Sequence, residues 1–125
     1  MEDRLSIIQN YLDGYNHFDI VQMLADCDEQ VVFENVTGGE VNMSLTGLPA
    51  FRNQAEQAKA YFSTRNQKAT HFKHESDSTE VEIEYAAVAA MDFPNGLRKG
   101  DEVRLQGKSI FQFSNGKIIR ITDIS

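Results

Sequence analysis

The sequence predicts an α+β fold with an antiparallel sheet, and three observations carry that expectation. Apolar residues in the first half recur at spacings of three and four. From Gln67 onward the period falls to two. An Asn-Gly pair at 115 and 116 then joins two of the alternating runs through a tight type I′ turn. A chain of 125 residues with 41% hydrophobic content can bury one core of its own, so a single domain, 1–125, is expected.

The elements follow in order. Leu5, Ile8, Leu12 and Tyr15 fall on one helical face with Tyr11 at its edge, and Gly14 and Asn16 weaken that helix toward its end. Asn16 with Asp19 resembles a second helix start, with Ile20, Val21 and Leu24 facing inward. Val31 to Val36 is rich in strand formers, Gly38-Gly39 breaks it and "VNMSL" returns, which predicts a hairpin. Pro49 suits the first turn of a third helix, and Phe51, Ala55, Ala58 and Phe62 supply its buried face. "TEVEIEY" sends Glu80, Glu82 and Glu84 to one side of a strand and Val81, Ile83 and Tyr85 to the other. Val103, Leu105, Gly107, Ser109, Phe111 and Phe113 share a face of the next, and "IIRITDIS" forms the last. The order is three helices around one hairpin, then four long strands.

Composition excludes several classes of function. A net charge of -7, from 19 acidic and 12 basic residues, disfavours nucleic acid and anionic membranes, which require clustered Lys and Arg. The longest apolar run, Tyr85 to Met91, is far short of the roughly 20 residues a membrane helix needs. The start "MEDRLSIIQN" lacks the basic and apolar segments of a signal peptide, and the single Cys27 suits a reducing compartment, so the expected location is cytoplasmic. His71 and His74 lie three apart in a strand and point to opposite faces, and no further Cys or His completes a metal site. "DCDE" at 26–29 lacks the glycine and ligand spacing of a calcium loop and reads as a solvated turn. No phosphate loop is present, and no cofactor or metal is expected.

Two polar residues stand on faces that should be apolar. The alternation that buries Val31 and Phe33 sends Asn35 the same way and Glu34 outward. Asp123 shares a face with Ile119 and Ile121, where a carboxylate is costly unless paired or wet. Poor solvation there should raise its pKa above the ordinary value of about 3.9. The competing readings are a strand-end Asn beside the Gly38-Gly39 turn and an Asp near a fraying end.

The element order, together with "YNHFDIVQML", "VVFEN", "LTGLPAFR" and "GKSIFQFSNGKIIRITD", resembles the SnoaL-like branch of the nuclear transport factor two superfamily over nearly the whole chain. That branch is similar to ketosteroid isomerase and limonene epoxide hydrolase. The resemblance implies a curved sheet wrapped with three helices into a cone with an apolar interior. Against ketosteroid isomerase, Tyr11 falls at the helix tyrosine, Asn35 at the general base and Ser109 at the second acid. Both carboxyls are missing, and an amide cannot accept a proton at neutral pH, so steroid isomerization is disfavoured. Against limonene epoxide hydrolase, Asn35 and Asp123 match, while Phe33 replaces a tyrosine and "VEIEYAAVAA" lacks the Arg-x-Asp pair.

The resemblance therefore implies a small apolar ligand and cofactor-independent isomerization, cyclization or hydrolysis. Asp123 would be the acid or base, with Asn35 and Tyr11 orienting the substrate. Tyr15, Phe33, Phe51, Phe62, Tyr85, Leu105, Ser109 and Phe111 are the expected wall. A non-catalytic ligand- or protein-binding module is the alternative. A homodimer through the outer sheet face is also expected, because Ile110, Ile118 and Ile124 collect on the strand face opposite the core.

Overall fold

The computed structural model describes residues 2–125. Helices α1 (Glu2–Asn16) and α2 (Ile20–Leu24) lead into strands β1 (Cys27–Thr37) and β2 (Glu40–Thr46). Helix α3 (Leu48–Ala58) follows, then β3 (Phe62–His74), β4 (Ser78–Ala89), β5 (Glu102–Ser114) and β6 (Lys117–Ile124). The strands form one curved, unclosed sheet in the order β2-β1-β6-β5-β4-β3. Four pairings are antiparallel, and β1 lies parallel to β6, which the sequence pattern had not disclosed. Asn115 and Gly116 both take positive φ, as the predicted turn requires.

Local chemistry explains the first two helices. In α1, Ile8 and Leu12 are fully buried and Tyr11 nearly so. Leu5 is exposed, against the expectation, because Arg4 occupies the inward position of that turn. Arg4 donates from Nη1 to the carbonyls of Glu75 (2.7 Å) and Ser78 (3.1 Å), and from Nη2 to that of Ser76 (2.6 Å), pinning α1 to the β3–β4 turn. Gly14 does not weaken the helix; it admits α2, since a Cβ there would stand 2.7 Å from the Met23 Cα. Asp19 caps α2, accepting from the Gln22 N–H at 3.0 Å. With little more than one turn, α2 buries Ile20, Met23 and Leu24 and leaves Val21 85% exposed, which corrects the inward placement of Val21.

Three further expectations change. Phe62 is not on the third helix, which ends at Ala58; it opens β3. Cys27 to Glu29 are strand rather than turn, and Cys27 is buried in the core. The β5–β6 register shifts between Gln112 and Phe113, so Ile118 opposes Phe113 and is fully buried. This irregularity moves Ile118 from the outer face to the core and separates Ile119 from the face that Ile121 and Asp123 share.

The core joins α1, α2 and α3 to the inner face of the sheet through Leu12, Leu24, Phe51, Val81, Phe111 and Ile121. On β4 the alternation runs as read from sequence, with Val81 and Ile83 buried and Glu82 and Glu84 exposed. No helix of the described residues is long and apolar enough to cross a membrane.

Candidate functional site

Above the packed core the helices and the inner sheet face leave an open cavity of about 460 Å³, within the range of small-molecule sites. Three neighbouring strands build its polar wall in register. Asp123 on β6 stands opposite Asn35 on β1 and Ser109 on β5. One rung deeper, Ile121 stands opposite Phe33 and Phe111. The period-two pleat turns the whole upper rung toward the cavity once the lower rung is buried.

Asp123 is half-buried and accepts a hydrogen bond of 2.6 Å from the Ser109 hydroxyl. Burial pushes its carboxyl up to about 6, and the Ser109 bond opposes that rise by stabilising the charged form. Tyr11, on α1, lines the same cavity with its ring edge-to-face on Phe111 at 5.3 Å. Burial first, and the charge of Asp123 second, hold its phenol well above the usual range, so it stays a hydrogen-bond donor. Asn35 also lines the cavity, but its Nδ2 donates to Asn42 Oδ1 at 2.8 Å. The β1–β2 register shift beside Asn35 accommodates that contact at the rim.

The expected wall residues divide. Phe33 and Phe51 stack at 4.9 Å and both face the cavity. Phe62 reaches it from β3, packing edge-on against Tyr85 at 6.2 Å and stacked on Phe93 at 5.8 Å. The hydroxyls of Tyr15 and Tyr85 hydrogen-bond at 2.9 Å across the interior, and burial raises the pKa of both. Leu105 lines the cavity but is 52% exposed, which places it on the rim. Phe111 is not wall; it is fully buried beneath Tyr11 and belongs to the core. Glu34 faces outward, paired with Arg120.

Arg65 and Gln67 also line the cavity and were not anticipated. Both lie on β3, where register shifts after Phe62 and after Ala69 break the alternation that would have revealed its inner face. Arg65 is 5% exposed, with its guanidinium 3.8 Å from the Tyr15 ring centre and 4.4 Å from that of Phe18. Among the described residues no group of three or more His, Cys, Asp or Glu side chains could hold a metal. His74 instead hydrogen-bonds the Thr79 hydroxyl at 2.9 Å.

A curved sheet over three helices, with polar groups aimed into an apolar cone, defines a protein of the nuclear transport factor two-like superfamily. The SnoaL-like domain model matches residues 8–121, and the chain belongs to that family. Among solved structures it is similar to a protein from Xanthomonas campestris pv. campestris proposed to be a polyketide cyclase, with TM-score 0.82 and 19% identity over 99% of this chain and 90% of that one. It is also similar to an epoxide hydrolase from M. tuberculosis of the LEH-like type, with TM-score 0.78 and 14% identity over 98% and 82%. A third is a protein with a ketosteroid isomerase-like fold from Catenulispora acidiphila in complex with trimethylamine, with TM-score 0.75 and 10% identity over 94% and 82%. These likenesses establish the fold. The search of curated proteins returned no match.

Proposed function

We propose that this SnoaL-like domain takes up a small, largely apolar molecule and acts on it by cofactor-independent proton transfer, isomerising or cyclising a carbonyl compound. The observation that carries this reading is Asp123, a half-buried carboxyl in the cavity wall that burial pushes up to about 6. A base of that strength is mostly ionised at neutral pH yet strong enough to take a carbon-bound proton beside a carbonyl. Among the cavity residues Asp123 is the sole acidic side chain, which suits one group removing a proton and returning it. Hydrolysis, with a water to activate and a leaving oxygen to protonate, fits less well. Tyr11 is the candidate donor to the enolate oxygen and Asn35 a positioning group.

One observation favours a non-catalytic binding module instead: the Asn35 amide already donates to Asn42 at the rim. We also propose that the outer sheet face pairs with a second copy, since Val36, Ile110 and Ile124 are only half-buried there.

Incubating the protein in D2O with a panel of apolar ketones and lactones tests the catalytic reading without knowing the product. NMR should show deuterium entering beside the carbonyl of at least one compound, with the exchange abolished in Asp123→Asn and slowed in Asn35→Ala. No exchange across the panel, or exchange that Asp123→Asn leaves intact, favours the module.

A further inference from the structure

The two most buried arginines of the chain are treated differently. Arg4 is 6% exposed, and both its terminal nitrogens donate to backbone carbonyls. Arg65 is as deeply buried, and only its Nε is used, donating to the Tyr15 carbonyl at 2.7 Å at the end of α1. Its Nη2 is the one buried side-chain nitrogen or oxygen without a partner among the described residues. The ion pairs of those residues do not include Arg65 either. Capping α1 and stacking between Tyr15 and Phe18 account for the Nε and for the two faces of the guanidinium. Neither accounts for a buried cation left without a counter-charge, an arrangement costly enough that native proteins seldom keep it without a use.

Arg65 lines the same cavity as Asp123. The two strands that carry them, β3 and β6, are separated by β4 and β5, about 14 Å across the sheet at ordinary strand spacing, and the ladders set Arg65 level with Val103 of β5, six residues along from the Ser109 that stands opposite Asp123. The cavity they share is lined mainly by apolar and aromatic side chains, including Phe62, Ile83 and Tyr85. We propose that Arg65 is an anchoring site for a negatively charged oxygen of the ligand, so that the cavity selects an amphiphilic organic acid. Its carboxylate or ionised phenol would meet the guanidinium from the side of Nη1, which is neither bonded nor sealed off among the described residues, and its apolar body would lie across the aromatic wall. The inference names the substrate class for the cavity proposed above and does not need Asp123 to be catalytic. A planar guanidinium with its faces already stacked is held in place before the ligand arrives, which lowers the cost of recognising an oxygen anion.

The test uses two dyes that share a ring system and differ by one charge, 8-anilinonaphthalene-1-sulfonate and neutral N-phenyl-1-naphthylamine, titrated by fluorescence. The wild-type protein should bind the sulfonate about tenfold more tightly than the neutral dye, in line with one charge-assisted contact. Arg65→Gln should remove that preference while leaving the neutral dye's affinity unchanged, and Arg65→Lys should retain part of it. Ala58→Trp, which narrows the cavity, should weaken both dyes and so locate them there. Asp123→Asn should keep the preference, which separates this outcome from failure of the catalytic reading. Equal affinity of the wild-type protein for the two dyes overturns the proposal, as does a preference that survives Arg65→Gln or is indifferent to Ala58→Trp. If the Arg65 variants do not fold, as circular dichroism would show, Lys108→Gln decides it: the preference should survive removal of this other cation of the cavity lining, and its loss overturns the proposal.

Discussion

Replacing Asp123 by Asn should make the protein more stable, and only above a particular pH. In the unfolded chain this carboxyl titrates near 3.8; in the folded protein, burial pushes it up to about 6. Below pH 4 both states carry the proton and the wild-type residue incurs no penalty. Between pH 4 and 6 the unfolded chain releases its proton while the folded protein holds it, so wild-type stability falls as pH rises. Above pH 6 the carboxylate is charged in both states and the penalty is constant, at about 3 kcal/mol by linkage and less where cavity water solvates the charge. The amide introduced by Asp123→Asn would retain an oxygen that can accept from Ser109 Oγ, so the bond now 2.6 Å long need not be lost. Urea melts of both proteins at pH 4, 5, 6, 7 and 8 should therefore give a stability difference that starts near zero and levels off at about 2–3 kcal/mol in favour of Asp123→Asn. The other titrating groups cancel in that difference. A gap that does not depend on pH, or a carboxyl seen by 13C NMR to titrate near 4, would refute the reasoning.

Three other outcomes follow from the same geometry. Ser109→Ala removes the bond that favours the charged carboxyl, so the Asp123 midpoint should move above its wild-type value in an NMR titration. Gly14→Ala puts a methyl 2.7 Å from the Met23 Cα, so it should destabilise by about 1–3 kcal/mol in urea melts despite alanine's better helix propensity; a gain in stability would mean α2 does not cross there. Light scattering at micromolar protein should report twice 14.1 kDa if the outer face pairs, and Ile110→Glu should return the mass to that of one chain.

How much of this was legible depended on whether the strand pleat ran uninterrupted. On β4 it does, and the placement of Val81 and Ile83 inward and Glu82 and Glu84 outward could be read directly from alternation. On β1 it holds through Val31, Phe33 and Asn35, enough to bring Asn35 beside Asp123. On β6 the shift beside Phe113 exchanged the roles of Ile118 and Ile119, so Asp123 was placed inward with one correct neighbour, Ile121, and one wrong one. On β3 two such shifts space the inward residues Phe62, Arg65, Gln67, Ala69 and Phe72 by three, two, two and three. No single period fits that series, and its first member extends the helical spacing of Phe51, Ala55 and Ala58. Phe62 was therefore assigned to the helix, and Arg65 fell outside any element. A buried arginine also leaves little trace in a sequence, because Arg4 and Arg65 look like surface charges until the fold encloses them.

Where the unsatisfied polar chemistry sits argues for use rather than accident. Away from the cavity, buried polar groups are paired: Arg4 is spent on carbonyls, and the fully buried Thr79 hydroxyl hydrogen-bonds His74 Nδ1 at 2.9 Å. In the cavity wall stand a carboxyl lifted toward 6 and a guanidinium with an orphaned nitrogen. A cone that served only as a packed scaffold would gain stability from an apolar residue at either place, and substitutions of that kind are easy to reach. Local rules broken in one cavity and obeyed elsewhere are the pattern expected where binding a ligand offsets the cost. The two groups also differ in what they can do for that ligand. Asp123, titrating close to neutrality, can exchange a proton, whereas Arg65 keeps its charge at any physiological pH and can only hold. A ligand spanning both would be fixed at its charged end and worked on at the other, which makes the dye preference and the deuterium exchange independent measurements of one cavity.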